Sequence, residues 1–190
     1  MSFVAATEAE VLGDLAQLEE FSQGDLPESA PITTFFLGAA TAAVRNYCGW
    51  HVFPSKAETM VLDGPGGELL ELRTKRLQNV KSLTENGVNL TPDVDFEWSP
   101  SGLLRKRCWT ERFRSIVVEV EHGFTSAPDL LELVYGLATR AASSPSGAVQ
   151  DTAGPFTVTA AQVAPGVAGG IALMAHEKAV LDPYRLADAP

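Results

Sequence analysis

The sequence is poor in the features that carry the common chemistries. Its 190 residues include only two cysteines, Cys48 and Cys108, too few for the disulfide framework of a secreted domain. No stretch approaches the ~20 consecutive apolar residues that cross a bilayer, so no membrane partner is expected. Residues Met1 to Glu8 hold no basic segment ahead of an apolar core, which argues against a secretory signal and for synthesis in the cytoplasm. The glycines of Asp63-Gly-Pro-Gly-Gly67 are not followed by Gly-Lys-Ser/Thr, and Pro65 removes an N–H that a phosphate cradle would use. One sign of charge is missing from a whole region: no Lys or Arg precedes Arg45.

What that region holds instead is acid, namely Glu8, Glu10, Asp14, Glu19, Glu20, Asp25 and Glu28. Basic residues gather in the middle of the chain, at Arg73, Lys75, Arg76 and Lys81, then at Arg105, Lys106, Arg107, Arg112 and Arg114. The formal net charge of -10 makes a general affinity for nucleic acid improbable, because like charges repel the phosphates. The uneven distribution suits contacts between unlike surfaces, of neighbouring copies or of another partner. A hydrophobic content of 45% with 20% charged residues describes a globular chain with a proper core, long enough for one domain or one domain plus an arm.

Periodicity orders the chain as helices, then hairpins, then helices. Thr7-Glu-Ala-Glu10 matches a capping box, and Val11, Leu15, Leu18 and Phe21 continue one apolar face to about Ser22. A second helix is read from about Ile32 to Tyr47, with Phe36, Ala40, Ala43, Val44 and Tyr47 inward and Gly49 as a left-handed stop. From Ala57 the period changes to two. Strands are read near Glu58–Leu62, Leu69–Leu72, Val80–Glu85, Val88–Leu90, Phe96–Trp98, Leu103–Lys106 and Ser115–Glu121. Asn86-Gly87 signals a type I′ hairpin, and Asp63–Gly67 and Ser99-Pro-Ser-Gly102 are turn clusters. Pro128 suits a first helical position with Ser126 or Ala127 as cap, and Leu130, Val134, Leu137 and Ala141 share one face. Pro145 and Gly147 end that helix. The low-charge tract Ala148 to Gly170 reads as an extended arm with a short strand at Phe156–Thr159, followed by a last helix from about Ile171 to Asp182. The fold class expected is therefore α+β, mainly helical: a small helical bundle with an inserted antiparallel β-hairpin sheet and an extended C-terminal arm ending in a helix.

Candidate chemistry is thin. Cys48 and His51 have Cys-x-x-His spacing, and Cys108 and His122 would complete a zinc tetrahedron, but a strand and a basic loop separate the second pair, so no metal site is assigned. Buried small-hydrophobe roles suit the cysteines better than a nucleophile, no catalytic residue is assigned, and no cofactor is implied. The basic and aromatic group Arg105, Lys106, Arg107, Trp109, Arg112 and Arg114 fits either nucleic acid or a sheet edge and subunit contact. The contact reading is preferred, because long cationic side chains commonly cover sheet edges.

The ordered series of local patterns resembles the head-to-tail adaptor (connector) proteins of long-tailed bacteriophages, especially those infecting actinobacteria. The matching residues are Ala39 to Trp50 ending in Tyr-Cys-Gly-Trp, the Leu62-Asp-Gly64 turn, Val80 to Trp98 with Asp93-Val-Asp-Phe-Glu-Trp98, and Leu103-Leu-Arg105. Val118-Glu-Val-Glu-His-Gly-Phe124, Pro128 with its helix, Ser144-Pro-Ser-Gly147, and Glu177-Lys-Ala-Val-Leu-Asp-Pro-Tyr-Arg-Leu186 complete it.

The resemblance implies a non-enzymatic virion protein, made in the host cytoplasm and placed in the virion neck. It implies a ring of about twelve copies beneath the portal protein and above the next neck component, a stopper or head-completion protein, with double-stranded DNA passing through without sequence-specific binding. On this reading residues 1–147 form the adaptor core and residues 148–190 an arm and docking tail. Portal docking is expected of Leu173, Val180, Leu181, Tyr184, Arg185 and Leu186, and contact between copies of the basic group at Arg105–Arg114. The alternatives are a head-completion, stopper or tail-terminator protein and, from another class, a small DNA-binding accessory protein using the basic hairpin.

Overall fold

The computed structural model describes residues 11–143, 150–153, 156–159, 162–164, 167–168 and 170–187. The chain divides into two compact units: the first holds residues 1–48 and 127–185, the second residues 49–126 and 186–190. The Thr7–Glu10 capping box and the Pro145 and Gly147 helix stop lie outside the described residues.

The first unit is built on helices α1 (Leu15–Phe21), α2 (Pro31–Cys48), α3 (Pro128–Ser143) and α4 (Ala175–Leu181), the last running into a 3₁₀ turn at Asp182–Tyr184. In α2, Phe36, Leu37, Ala40, Val44 and Cys48 fall on one face and are buried, and Gly49 follows with a positive φ of 80°, a left-handed stop that glycine adopts without strain. In α3, Leu130, Val134, Leu137 and Ala141 are all buried, as their spacing requires, and α2, α3 and α4 pack against one another. Helix α1 is shorter than the capping box implies. Its cap is Asp14, whose Oδ1 accepts from the N–H of Ala16 at 2.7 Å, and Gly13 just before it has a φ of 93° that no continuous helix can hold.

The second unit carries strands β1 (Lys56–Leu62), β2 (Leu69–Glu71), β3 (Leu77–Glu85), β4 (Val88–Leu90), β5 (Glu97–Trp98), β6 (Leu103–Arg105) and β7 (Ile116–His122). They form two antiparallel sheets, ordered β1-β7-β3-β4 and β2-β6-β5. The alternation of β7 puts Ile116, Val118 and Val120 inside, where they meet Met60, Leu83, Leu70, Leu104, Phe96 and Trp109 in one core shared by both sheets. Asn86 and Gly87 both have positive φ, 52° and 82°, the type I′ geometry between β3 and β4.

The expectation of a mainly helical fold is overturned. Among the described residues strands hold 47 and α-helices 48, so this is a sheet-rich α+β protein. Two physical facts account for the difference. Residues 49–126 are not a hairpin insertion in a bundle but a compact unit with its own core, and β8 (Gln150–Ala153), β9 (Phe156–Thr159), β10 (Gln162–Ala164) and β11 (Val167–Ala168) pair as two hairpins within the tract read as an extended arm. The last helix also starts later than expected, at Ala175, because a turn at 170–171 and irregular backbone over 172–174 precede it.

Candidate functional site

The basic segment between β6 and β7 is held along a glycine-rich strand of backbone. Gly64 N–H donates to the Arg112 carbonyl at 2.9 Å and Gly66 N–H to the Thr110 carbonyl at 3.1 Å. Pro65 lies between them, at a position facing away from the partner, so its missing N–H removes no bond. The pairing continues with Trp109 N–H to the Gly67 carbonyl at 2.8 Å, Lys106 N–H to the Glu68 carbonyl at 2.9 Å, and Arg114 N–H to Asp63 Oδ1 at 2.6 Å. A side chain at position 64 would put its Cβ 2.0 Å from the Thr110 carbonyl oxygen, so only glycine allows this approach.

Two residues of the basic group point inward. Trp109 is buried in the core and its indole N–H donates to the Glu68 carbonyl at 3.0 Å. Lys106 pairs with the buried Glu85 and lies 5.2 Å from the Trp109 ring centre; Glu85 also accepts from the Thr110 N–H at 2.7 Å. Arg105 pairs with Glu97 on the neighbouring strand at 2.5 Å. Arg107, Arg112 and Arg114 are exposed and enter no ion pair among the described residues, and between the last two stands Phe113, 85% exposed. An open cleft of about 310 Å³ beside this segment is lined by Asp93, Asp95 and Glu97 as well as by Arg105, Lys106 and Arg107, so it carries both signs of charge.

The C-terminal group lies in the helical unit up to Arg185, and Leu186 belongs to the strand unit. Leu181 is fully buried, Leu173, Tyr184 and Leu186 are half-buried, and Val180 and Arg185 are exposed. Arg140 of α3 holds the entry to α4: its guanidinium meets both Glu177 oxygens at 2.5 and 3.1 Å and donates to the carbonyls of Gly170 and Ala172 at 3.2 and 2.9 Å. Burial works to raise the Glu177 carboxyl, but Arg140 and the Met174 N–H outweigh it and hold the group below the usual carboxylate range. Tyr184 donates to Asp129 at 2.7 Å and Tyr47 to Asp182 at 2.5 Å, while the Arg185 guanidinium lies 5.4 Å from the Tyr47 ring centre. Burial and the Asp129 carboxylate push the Tyr184 phenol up to about 12. Of the six residues expected to dock, those that contact the unit's own core cannot also offer their whole side chain to a partner.

Of the four residues weighed for zinc, His51 and His122 lie near each other, with ring centres 6.0 Å apart. Cys48 is buried and Cys108 exposed, and no group of three or more metal-ligating side chains occurs among the described residues. His122 is buried at the end of β7, where its Nε2 bonds Glu58 at 3.0 Å and Trp50 stacks at 6.2 Å. No helix is long and apolar enough to cross a membrane among the described residues. Sequence reasoning did not find the Arg140–Glu177 clasp or the pairing of Asp63–Glu68 with the basic segment. The alternation of Gly64, Pro65 and Gly66 was the available signal for the second.

No protein-family model matches the chain, and no curated protein is significantly similar to it in sequence. Solved structures are similar in fold over nearly the full length. A chain in the virion of a native gene transfer agent particle aligns with a TM-score of 0.58 at 15% identity, covering 98% of this chain and 95% of that one. This chain shares its fold. A chain in the neck of an empty GTA particle computed with C6 symmetry gives 0.56 at 15% identity, with 98% and 95% covered. One in the neck of a native GTA particle computed with C12 symmetry gives 0.51 at 12% identity, with 95% and 96% covered.

Proposed function

We propose that this protein is a non-enzymatic structural component of the neck of a phage-like particle, a head-to-tail adaptor that forms a ring of about twelve copies under the portal. The observation that carries the reading is the end-to-end likeness of fold: the alignments with chains from the neck or virion of GTA particles cover 95–98% of this chain and 95–96% of those chains. This is an analogy of fold, and one fold can host more than one role, so the test below is one of assembly.

The charge arrangement supports it. The helical unit has four Lys and Arg against twelve Asp and Glu, whereas the strand unit has ten against twelve. Twelve copies at -10 would carry about -120, a field that keeps double-stranded DNA sliding rather than adhering wherever it faces the passage. Residues 1–147 act as the ring-forming core and residues 148–190 as the segment that reaches the portal, with Val180 and Arg185 the most accessible of its docking candidates. The next neck component, a stopper or head-completion protein, meets the opposite side of the ring. The protein is made in the host cytoplasm and ends in the virion neck.

Mixing the purified full chain with its portal and imaging the product by electron microscopy tests this. A ring added at one end of the portal is the expected outcome, and its rotational symmetry gives the copy number directly. Failure to join the portal, with association to lower neck or tail components instead, moves the protein to a stopper or tail-terminator role. Retention on duplex DNA with a steep loss on adding salt favours the DNA-binding accessory reading.

A further inference from the structure

The tip of the basic segment is an unusual surface element. Arg112, Phe113 and Arg114 are all exposed, the arginines enter no ion pair among the described residues, and Phe113 is 85% exposed. Its backbone is held on both sides of Phe113, by the Gly64 N–H on the Arg112 carbonyl and by Asp63 on the Arg114 N–H, so the bonds that order the tip leave its three side chains out. A pre-ordered cation–aromatic–cation element loses little conformational entropy on docking, and Arg and Phe are residue types enriched at interface centres.

The helical unit carries the complement. At the end of α1, Glu19, Glu20 and Phe21 are followed by a loop that brings Glu28 back, its N–H donating to Glu19 Oε2 at 2.8 Å. These three carboxylates enter no ion pair among the described residues, and no Lys or Arg exists in the sequence before Arg45 to neutralise them. Phe21 is 45% exposed beside them. The tip therefore offers two arginines outside any ion pair beside an exposed phenylalanine, with Asp63 and Glu111 at its base, and the ridge offers three such carboxylates beside Phe21, whose other face meets Tyr135 at 5.7 Å.

We infer that the Arg112-Phe113-Arg114 tip of one copy docks on the Glu19–Phe21–Glu28 ridge of the next copy. Because the two patches differ, the contact is heterologous, the kind that propagates head to tail and forms a ring when its rotation closes. This rests on the ring reading above and names the surfaces that would make it.

The test places Glu20→Cys and Phe113→Cys in one full-length chain carrying Cys108→Ser, and applies a short bismaleimide to the chain alone at high concentration and bound to portal. The expected product is a ladder of covalent dimers and higher oligomers. Separately, Arg112→Glu with Arg114→Glu should weaken self-association at least tenfold at low salt, and adding Glu20→Lys with Glu28→Lys in the same chain should restore it. Circular dichroism confirms that each variant folds. A fast-migrating internally linked monomer, a portal-bound ring without a ladder, or no restoration by the charge swap overturns the inference. So does a reversed-charge variant that loses only retention on duplex DNA. A ladder from a chain that never joins the portal leaves this contact standing and removes the adaptor reading instead.

Discussion

Removing the Arg140 side chain isolates what holds α4 in place. Arg140→Ala deletes a two-pronged bond to Glu177 and two further bonds, to the carbonyls of Gly170 and Ala172. Both charged side chains are mostly shielded, with 18% and 10% of their surface exposed. Breaking a buried ion pair by removing one partner costs about 3–5 kcal/mol. Water reaches this pair at its edge, so the smaller figure of about 2–3 kcal/mol is expected. That loss is local, because α4 is a short segment docked on α2 and α3 rather than part of their shared face. Hydrogen exchange over residues 175–184 should then accelerate about 30- to 150-fold, while β7 is unaffected. Arg140→Lys should recover only part of the protection, because an ammonium cannot reproduce the planar fork.

The acid dependence follows with a definite sign. The Glu177 carboxyl is depressed in the folded protein, so its contribution is complete above the ordinary value of 4.5 and is lost as the pH falls through the lower folded value. In the Arg140→Ala chain this acid-sensitive step in α4 protection should disappear. Equal exchange over residues 175–184 in both proteins at neutral pH would refute the reasoning, since the clasp would then contribute nothing to docking.

Gly64→Ala forces a Cβ to within 2.0 Å of the Thr110 carbonyl and should lower urea-unfolding stability by about 1–3 kcal/mol, whereas Gly67→Ala, with open space around it, should stay within about 0.5 kcal/mol of the parent. Trp109→Ala empties a core position and removes the bond to the Glu68 carbonyl, so a loss of about 3–5 kcal/mol is expected in the same assay. The Tyr184 phenol is pushed up to about 12, so its contribution is complete below pH 10 and declines as the pH rises toward 12. Absorbance at the tyrosinate band should show a late-titrating phenol that Tyr184→Phe removes.

The strands were legible because their signals are local. Alternation in Ile116–His122 needs only its own residues, and Asn86-Gly87 announces its turn wherever it stands. The helices α2 and α3 were legible for the same reason, since an apolar face repeats over several turns. What failed to show was set by distant partners. The Thr7–Glu10 pattern invites a helix through position 13, yet Gly13 takes a positive φ and lies under the Tyr135 ring, whose hydroxyl accepts from the Asp14 N–H across 121 positions of sequence. Arg140 in the last turn of α3 reads as an ordinary complement to the helix dipole, which conceals its role on Glu177. The paired strands of the low-charge tract have too little alternation to distinguish a hairpin from an extended arm.

The basic segment shows most clearly where a linear reading stops. Five cations and a tryptophan in ten positions look like a single patch, whether for phosphate or for protein. Folding assigns them to different tasks: Trp109 goes to the core, Lys106 to Glu85, Arg105 to Glu97, and only Arg107, Arg112 and Arg114 keep their charge for an outside partner. Two of the five cations are therefore paired inside their own unit. The remainder is spaced along a backbone fixed by glycine contacts and carries an exposed phenylalanine between two arginines. A phosphate-tracking surface gains from every cation along its path and has little use for an aromatic ring without a base to stack on it. An interface centre uses both, since the arginines select the partner's charge and the ring supplies the buried area. That difference is why contact with an acidic protein surface accounts for the tip better than contact with DNA, and why reversing Arg112 and Arg114 should alter assembly before it alters retention on duplex DNA.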